Sequence, residues 1–598
     1  MWGERLTALL ERARTIKRVI AETPRFTILR ILLHVMALVG LVCTLLISVV
    51  AEDFFTRGIE NRPDWPPIPH TSSNPMGINT FLNEEADPAV VERSLDMIAA
   101  GGFGYVRQLF GWYEIEPQPG EYIDANGVST WEKYDRIVAL ANERGIQVIA
   151  RLDKPPLWSK VNQPNPQLDG PPDRLGDYAS FVEAVVERYG DRIRYVQIWN
   201  EPNLAGEWGG QPIDPRGYVD LLATGYRAAK RANPDVTVLM AGLAPTDQTG
   251  PDNLSDLLFL QRVYDFGGAD FFDIAAVMVY GYGYSPSDRR VAFERNNFSR
   301  PIQTREIMVR NGDADTPIWA VEYGWVSLPD DWTGDPSPWG DPVSAETKAD
   351  YLVSGYVRAQ REWPWMGMMA VWTFRFPQPP DADGQAANPT RGFGIVEHDF
   401  TPRPAYTALQ RAALHIQRAS TGAYWLTETE QIALDAGDQV RLHVAGDEID
   451  LVYEGDGTLD VSLNDAAQHR VTIIASDGTL LSRATIADTL TNDPYDITLQ
   501  LPDSGESEVA IVGYIVAPAA VHTWVYPLVR VLVIIAFLLN TMSTVWLMRE
   551  LATASPAHDS SEDDDGDVPD ETRAQTESPV TLGDAGNSGS LPDPCDNV

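Results

Sequence analysis

Between residues 76 and 419, short apolar runs of strand-like composition alternate with longer stretches in which apolar residues recur at helical spacing. The runs predict eight strands: Met76–Phe81, Tyr105–Phe110, Gln147–Leu152, Tyr195–Trp199, Thr237–Ala241, Ile274–Tyr280, Ile318–Val321 and Met368–Phe374. The helical pattern is clearest in four stretches: Pro88–Ala100, Asp177–Tyr189, Pro215–Ala232 and Ala345–Arg361. This alternation predicts βαβ units and a parallel sheet. Eight such units predict an α/β fold, a (β/α)8 TIM barrel with loop insertions over residues 76–419.

An open, doubly wound parallel sheet is the alternative arrangement of the same units. Such sheets bind dinucleotides through a glycine-rich phosphate loop directly after the first strand. No such loop follows the strand that ends at Phe81. We therefore favour the barrel.

From residue 420 to residue 517 the helical spacing gives way to alternation with a period of two. The predicted strands are Gln439–Val444, Ile449–Tyr453, Leu459–Leu463, Val471–Ile474 and Tyr495–Leu501. Gly-Asp and Asn-Asp turns separate several of these runs. Short alternating strands with turn signals between them predict a small β-sandwich.

Two long apolar segments bracket these domains, at residues 28–51 and 522–548. Each has about the length that crosses a bilayer core, so we expect two transmembrane helices. The first contains His34 and the second contains Arg530 near one end, where its side chain can reach the interface. A buried core helix is the alternative for either segment. A cleaved signal peptide is an alternative for the first, since Val49-Val50-Ala51 is an acceptable cleavage site.

The flanking residues predict an orientation in the membrane. Residues 1–27 are rich in Arg and Lys, which favours a cytoplasmic N-terminus. Residues 52–75 form a Pro-rich linker, and the barrel and β-sandwich would then be extracytoplasmic. Residues 549–598 hold 13 acidic against 2 basic residues and predict a disordered, acidic, cytoplasmic tail. The predicted location is the cell membrane, with the lipid bilayer as a partner.

Net charge, cysteine content and histidine spacing limit the partners, disulfides and metals that we expect. The net charge of −39 excludes nucleic acid as an expected partner. The two cysteines, Cys43 in an apolar segment and Cys595 in the tail, provide no disulfide framework for the folded domains. The histidines show no metal-ligand spacing, so we expect no metal.

The carboxyl ends of barrel strands carry the chemically active residues. Applied to the predicted strands, this rule selects a set of carboxylates, polar donors and aromatic rings. The set is Asn79, Arg107, Trp112, Asp153, Asn200, Glu201, Tyr280, Tyr282, Glu322, Trp372 and Arg375. Glu201 lies in a Trp-Asn-Glu-Pro-Asn turn after the fourth strand, and Glu322 follows the seventh. Two glutamates at two strand ends suggest glycoside chemistry, in which one carboxyl group handles protons and the other attacks the sugar.

The chain resembles a clan A retaining glycoside hydrolase, closest to families 39 and 5. The motifs that carry the resemblance span most of residues 76–415. They are Trp112–Tyr122, Tyr134-Asp135, Pro156-Leu157-Trp158, Trp199–Asn203, Trp319–Tyr323 and Pro402–Tyr406. A lone Asn-Glu-Pro is a weak signal, whereas the ordered set at the expected strands is a strong one.

The resemblance implies roles for individual residues. Glu201 would be the general acid/base and Glu322 the nucleophile. Asn200 would hold the 2-hydroxyl of the sugar, and Arg107 would keep Glu322 ionised. Tyr280 would donate a hydrogen bond to Glu322. The arrangement is chemically coherent, because a nearby cation favours the charged form of a carboxylate.

Further residues are expected at the substrate site. Trp372 would form the floor of the subsite, and we place Trp112, Trp158 and Asn79 there as well. Members of these families often carry a histidine two residues before the strand-6 tyrosine, where this chain has Met278. That departure concerns the subsite and leaves the pair of glutamates intact.

These observations predict a membrane-anchored retaining glycoside hydrolase that cleaves an extracellular β-linked oligo- or polysaccharide by double displacement and needs no cofactor. A transglycosylase would use the same intermediate. The alternative from another class is a non-catalytic glycan-binding or scaffold barrel in a cell-surface polysaccharide assembly. The β-sandwich would be either a carbohydrate-binding module or a spacer. Protein partners cannot be predicted from these patterns.

Overall fold

The computed structural model describes residues 24–60, 68–71, 74–380, 382, 385, 387–416, 422–425, 432–466, 469–474, 482–488, 490, 494–502, 508–517 and 525–553. The first element is a long helix, α1 (Pro24–Thr56). It continues through residues 52–56, which the sequence analysis assigns to the linker. Most of the predicted N-terminal segment and nearly all of the predicted acidic tail lie outside the described residues.

The predicted barrel follows. Its elements are β1 (Met76–Thr80), α2 (Pro88–Ala100), β2 (Tyr105–Gly111), α3 (Trp112–Ile115), α4 (Glu132–Glu143), β3 (Gln147–Asp153), α5 (Leu175–Tyr189), β4 (Tyr195–Ile198), α6 (Pro215–Ala232), β5 (Thr237–Leu239), α7 (Asp256–Asp265), β6 (Ala275–Tyr280), α8 (Pro301–Arg310), β7 (Ile318–Gly324), α9 (Ala345–Glu362), β8 (Met366–Val371) and α10 (Pro404–Ile416). The parallel strands pair in the order β5-β4-β3-β2-β1-β8-β7-β6. Bridges Leu239–Ile274 and Leu243–Val277 bring β5 beside β6, so the barrel is nearly closed. The prediction of a TIM barrel is confirmed.

The lower part of the barrel interior is a packed aromatic layer. Tyr105 of β2, Tyr195 of β4 and Trp319 of β7 have ring centroids 4.8–6.0 Å apart. Inward side chains of a small barrel fill its interior in layers, so this layer closes the lower end. The polar residues described below lie nearer the carboxyl ends of the same strands.

The second β-unit is one antiparallel sheet that curls around its own core. Its strands are β9 (Gly422–Trp425), β10 (Ile432–Leu434), β11 (Gln439–Ala445), β12 (Glu448–Leu463), β13 (His469–Ile473), β14 (Ser482–Ala487), β15 (Pro494–Gln500) and β16 (Glu508–Ala517). The first part of β12 pairs with β14 and β16, and its last part pairs with β13 and β15. The two faces of the predicted sandwich are thus two halves of one sheet joined by this long strand.

One strand boundary in this unit differs from the prediction. The sequence predicts separate strands at Ile449–Tyr453 and Leu459–Leu463, but both belong to β12. Glycine at position 455 favours a turn in the sequence, and its φ of 93° is one that glycine adopts readily. The pairing with β16 nevertheless continues through this residue. Among the described side chains of this unit, Ile474 is the one exposed large apolar residue, and no exposed aromatic ring is found.

In the part of the chain that the structure describes, two helices are long and apolar enough to cross a membrane, Phe26–Thr56 within α1 and Val525–Glu550 within α11 (Val525–Thr553). Only 6% and 17% of their most apolar windows are buried, which distinguishes them from ordinary core helices. Arg530, the charged residue of the second segment, pairs with Glu52. Arg530 therefore has a carboxylate partner on α1, in addition to the access to the membrane interface that its position near the helix end predicts.

The residues just after α1 are fixed to the barrel rather than extended. Arg57 makes a two-point ion pair with Glu306 of α8, at 2.8 and 3.0 Å. Arg305, the neighbour of Glu306, makes a second such pair with Glu60, again at 2.8 and 3.0 Å. The Pro-rich residues 61–67 lie outside the described residues, so the expectation of an extended linker applies to them alone.

Candidate active site

The turn after β4 holds Glu201 in a constrained backbone conformation. Trp199 and Glu201 have φ values of 73° and 42°, in the left-handed region that residues with side chains seldom adopt. The Glu201 amide donates to the Gly242 carbonyl at 3.1 Å, and the Asn203 side chain donates to the Ala244 carbonyl at 2.8 Å. Strained conformations of this kind persist where the surrounding structure fixes them. The segment after β5 therefore fixes the turn that carries Glu201.

A β-bulge in β7 directs Glu322 into the barrel. Val277 of β6 pairs with Ala320, and the next residue, Met278, pairs with Glu322. Val321 is therefore the extra residue. An extra residue of this kind changes which side chains face each side of the sheet.

The effect of the bulge is visible in the next residue. Trp319 points inward, so strict alternation would also turn Tyr323 inward and Glu322 outward. Instead the Tyr323 hydroxyl donates to the Leu352 carbonyl of α9 at 2.6 Å, on the outside of the sheet. Glu322 takes the inward position at the carboxyl end of the strand.

Arg107 connects the polar residues of the site. Its Nε donates to Gln197 Oε1 at 2.7 Å, and its Nη2 donates to Asn200 Oδ1 at 2.8 Å. Its Nη1 donates to Asn79 Oδ1 at 2.9 Å and to Glu322 Oε1 at 2.8 Å. The side chains of Arg107 and Glu322 are 1% and 6% exposed, so this is a buried ion pair. Because charged hydrogen bonds strengthen in a low dielectric, Arg107 fixes these four side chains relative to one another.

The two glutamates have different electrostatic surroundings. Glu322 accepts from Arg107 at one carboxyl oxygen and from the Tyr280 hydroxyl at the other. Glu201 accepts from Asn200 Nδ2 at 3.4 Å. Burial, followed by the charges of Glu322 and Glu207, raises the pKa of Glu201 to about 8. At neutral pH Glu201 is therefore a protonated carboxylic acid, the form that a general acid requires, and it lies beside a glutamate that is paired with an arginine.

The raised pKa of Glu201 predicts a pH-dependent stability change in Glu201→Gln. In the unfolded chain this carboxyl group ionises near its ordinary pKa of 4.5, whereas in the folded protein it stays protonated to about pH 8. Stability is therefore lost as the pH rises between these values, by on the order of 3 kcal/mol at pH 7. We expect Glu201→Gln to raise the melting temperature by several degrees at pH 7 and to leave it unchanged at pH 4. An equal gain at both pH values would contradict this account, and the exposed Glu187, changed to Gln, is the control.

The structure brings most of the predicted site residues together. Asn79, Arg107, Asn200, Glu322 and Tyr280 form one hydrogen-bonded group, and Glu201 adjoins it through Asn200. Asn79 is 2% exposed and also donates to the Val321 carbonyl at 2.9 Å, so both ends of its amide are occupied. The Asn79 side chain therefore positions Arg107, and its hydrogen-bonding groups are already used within the protein.

The three predicted tryptophans occupy different environments. Trp372 is partly exposed, packs edge-on against Phe81 at 5.5 Å and lines the cleft beside Arg107. Trp112 is fully buried and stacks on Phe181 of α5 at 5.3 Å. Trp158 is partly buried and packs edge-on against Trp112 at 5.5 Å. Neither Trp112 nor Trp158 lines that cleft, and their described ring contacts are with aromatic residues of the barrel wall and with each other.

Three residues that the sequence analysis did not select contribute to the site. Gln197 is fully buried, accepts from Arg107 and donates to the Trp199 carbonyl at 2.9 Å. Arg151 of β3 pairs with Asp153, and Lys154 contacts Glu207 at 3.0 Å. Alternate residues of a strand face the barrel interior, and this alternation along β3 and β4 could have identified Arg151 and Gln197 as inward-facing polar residues. The two are register partners on neighbouring strands.

No group of three or more His, Cys, Asp or Glu residues with metal-binding geometry occurs in the described part of the chain.

A nearly closed barrel that carries one glutamate directly after β4 and a second near the carboxyl end of β7 agrees with the fold expected from the resemblance to glycoside hydrolases. Residues 69–246, under a third of the chain, match the family described as Cellulase (glycosyl hydrolase family 5). This match supports a glycoside hydrolase of the clan A type. A comparison with curated proteins finds no match.

Solved structures of low sequence identity resemble the chain. A family 39 glycoside hydrolase from Bacteroides cellulosilyticus WH2 is 19% identical, with 72% of this chain and 81% of that chain covered and a TM-score of 0.44. A GH39 β-xylosidase from Caulobacter crescentus is 18% identical, with 74% and 99% covered and a TM-score of 0.40. GH5_18 from Streptomyces cattleya in complex with GlcNAc is 18% identical, with 59% and 84% covered and a TM-score of 0.43.

Proposed function

We propose that this protein is a retaining glycoside hydrolase that cleaves a β-linked oligo- or polysaccharide by double displacement. The observation that carries the proposal is the contrast between the two glutamates. Glu322 is paired with Arg107 and Tyr280 and is suited to be the nucleophile. Glu201, with its pKa raised to about 8, is suited to be the proton donor.

The proposed reaction has two steps. In the first, a Glu322 oxygen attacks the anomeric carbon, the bond to the leaving oxygen breaks, and Glu201 gives its proton to that oxygen. In the second, the Glu201 carboxylate takes a proton from water, whose oxygen attacks the same carbon and releases Glu322. The charge of Glu322 is consumed when the ester forms, so the electrostatic cost of ionising Glu201 falls at the stage where it must act as a base.

The stereochemistry of the product tests this mechanism. A panel of 4-nitrophenyl β-glycosides is first screened with the full-length protein in detergent or in membranes. Proton NMR of the cleaved substrate should show the β-anomer of the free sugar forming first, with the α-anomer appearing later by mutarotation. An activated 2-deoxy-2-fluoro glycoside should inactivate the enzyme and label Glu322, as mass spectrometry of peptides would show. An α-anomer as the first product, or a label on another residue, would refute the double displacement through Glu322.

We propose further that the barrel acts on the extracytoplasmic side of the cell membrane, with both termini in the cytoplasm. The exposed apolar surfaces of the helices Phe26–Thr56 and Val525–Glu550 support two membrane spans. The basic residues that precede the first helix support a cytoplasmic N-terminus. Alkaline phosphatase fused at residue 520 should be active in cells, and the same enzyme fused at residue 598 should be inactive. The reverse pattern would overturn the orientation.

A further inference from the structure

A cleft of about 290 Å³ lies beside Arg107 at the carboxyl end of the barrel. Its walls come from β1, β2, β3, β8 and the residues directly after them. They are Asn79, Thr80, Phe81, Glu84, Arg107, Leu109, Tyr113, Arg151, Lys154 and Trp372. The lining has three cations and one acidic residue, in a chain of 46 basic and 85 acidic residues. The local charge balance is therefore opposite to that of the whole chain.

Two of the three cations already have their hydrogen-bonding partners within the protein. Arg107 is the buried connecting residue of the site, with Glu322 as its counter-charge. Lys154 Nζ contacts Asp169 at 2.7 Å and Glu207 at 3.0 Å. Neither has a charge to offer to a ligand without breaking these contacts.

Arg151 also has a carboxylate partner, Asp153, but contacts it only through Nε. It is the register partner of Leu109 on β2, so it faces the same side of the sheet as that cleft residue. Its Nε lies 3.3 Å from Asp153 Oδ1, and its side chain is 14% exposed. Within the described residues, its two terminal nitrogens have no hydrogen-bond partner. They present an arginine fork to the cleft.

We propose that Arg151 binds the carboxylate of a uronic acid, and that the substrate is therefore an acidic glycan. A guanidinium fork matches the two oxygens of a carboxylate and binds them in parallel, more strongly than it binds neutral hydroxyls. The inference rests on the proposed glycoside hydrolysis and specifies its substrate class. The cleft includes Arg107, which contacts Glu322, and none of the residues that follow Glu201. Arg107 is the lining residue that connects this cleft to Glu322, so we place the acidic sugar in the subsite next to Glu322.

Paired substrates test the proposal. The rates on 4-nitrophenyl β-D-glucuronide and β-D-galacturonide are compared with those on the β-D-glucoside and β-D-galactoside, which lack only the carboxylate. In the series that is cleaved, wild-type kcat/KM should favour the uronide. Arg151→Gln should lower the uronide-to-neutral ratio by ~10- to 100-fold, the worth of a charged hydrogen-bonded contact. Arg151→Lys keeps the charge without the fork and should give an intermediate ratio.

The control is Arg174→Gln, because Arg174 is 79% exposed and lies outside the cleft. Preference for the neutral sugar, or a ratio that Arg151→Gln leaves unchanged, would overturn the proposal. If no glycoside is cleaved, the hydrolase assignment fails, and binding then decides the inference. Line broadening of D-glucuronate or D-galacturonate with wild type but not with Arg151→Gln would support the acidic site. The absence of any such broadening would exclude it.

Discussion

Replacing Glu322 with alanine should lower kcat/KM on an activated aryl glycoside by on the order of 10⁴-fold or more, as losses of a nucleophile do. The β-bulge at Val321 places this side chain inward, where its two carboxyl oxygens accept from Arg107 and Tyr280. The exposed Glu187, changed to alanine, is the matched control and should keep wild-type activity.

Azide assigns the two glutamates separately. In Glu322→Ala, azide can enter the vacated space and displace the leaving group directly, so a β-glycoside should give the α-glycosyl azide. In Glu201→Ala, azide should instead attack the Glu322 ester and give the β-glycosyl azide. These expected products follow from which side of the sugar each glutamate occupies. Exchanged products would mean that the roles of Glu201 and Glu322 are exchanged, and no rescue in either variant would favour a non-catalytic barrel.

The barrel could be predicted from the sequence because its signal is repeated. Eight apolar strands alternate with amphipathic helices, and any one boundary can be wrong without changing the result, as the shortened β5 shows. The β-unit lacks this redundancy. Gly455 and Gly457 look like a turn, and only their pairing with β16 and β13 shows that the strand continues. Long-range pairing, not local composition, decided that boundary.

The two glutamates could be predicted from their positions at strand ends. The reason that Glu322 faces inward could not be predicted from the sequence. An extra residue in a strand leaves no local signature, because its effect depends on the register with the neighbouring strand. Trp112 shows that a position at a strand end does not by itself place a side chain in the site. It follows β2 and satisfies the positional rule, yet α3 begins at this residue and its ring packs on Phe181 inside the wall. The rule identifies residues at the mouth of the barrel, whereas the local backbone sets where their side chains point.

Arg107→Met should be the most destabilising single change in the site. Methionine fills a similar volume but leaves four acceptors, on Asn79, Gln197, Asn200 and Glu322, without their donor. Removing one partner of a buried ion pair typically costs about 3–5 kcal/mol, because the remaining charge is uncompensated. Urea unfolding should therefore show a lower midpoint, and kcat/KM should fall steeply because Glu322 loses its counter-charge.

A double-mutant cycle separates the lost charge pairing from general damage to the core. In the Arg107→Met background, Glu322→Gln removes the uncompensated charge and should recover part of the lost stability. In the wild-type background the same Glu322→Gln change leaves Arg107 buried without its counter-ion and should destabilise the protein. The sign of the Glu322→Gln effect should thus reverse between the two backgrounds. If its effect on the free energy of unfolding were the same in both, the buried pair would contribute no coupling, and Arg107 would act only by filling space. A reversal would show that the charge of Glu322 is held in the barrel by Arg107, the condition on which its role as nucleophile depends.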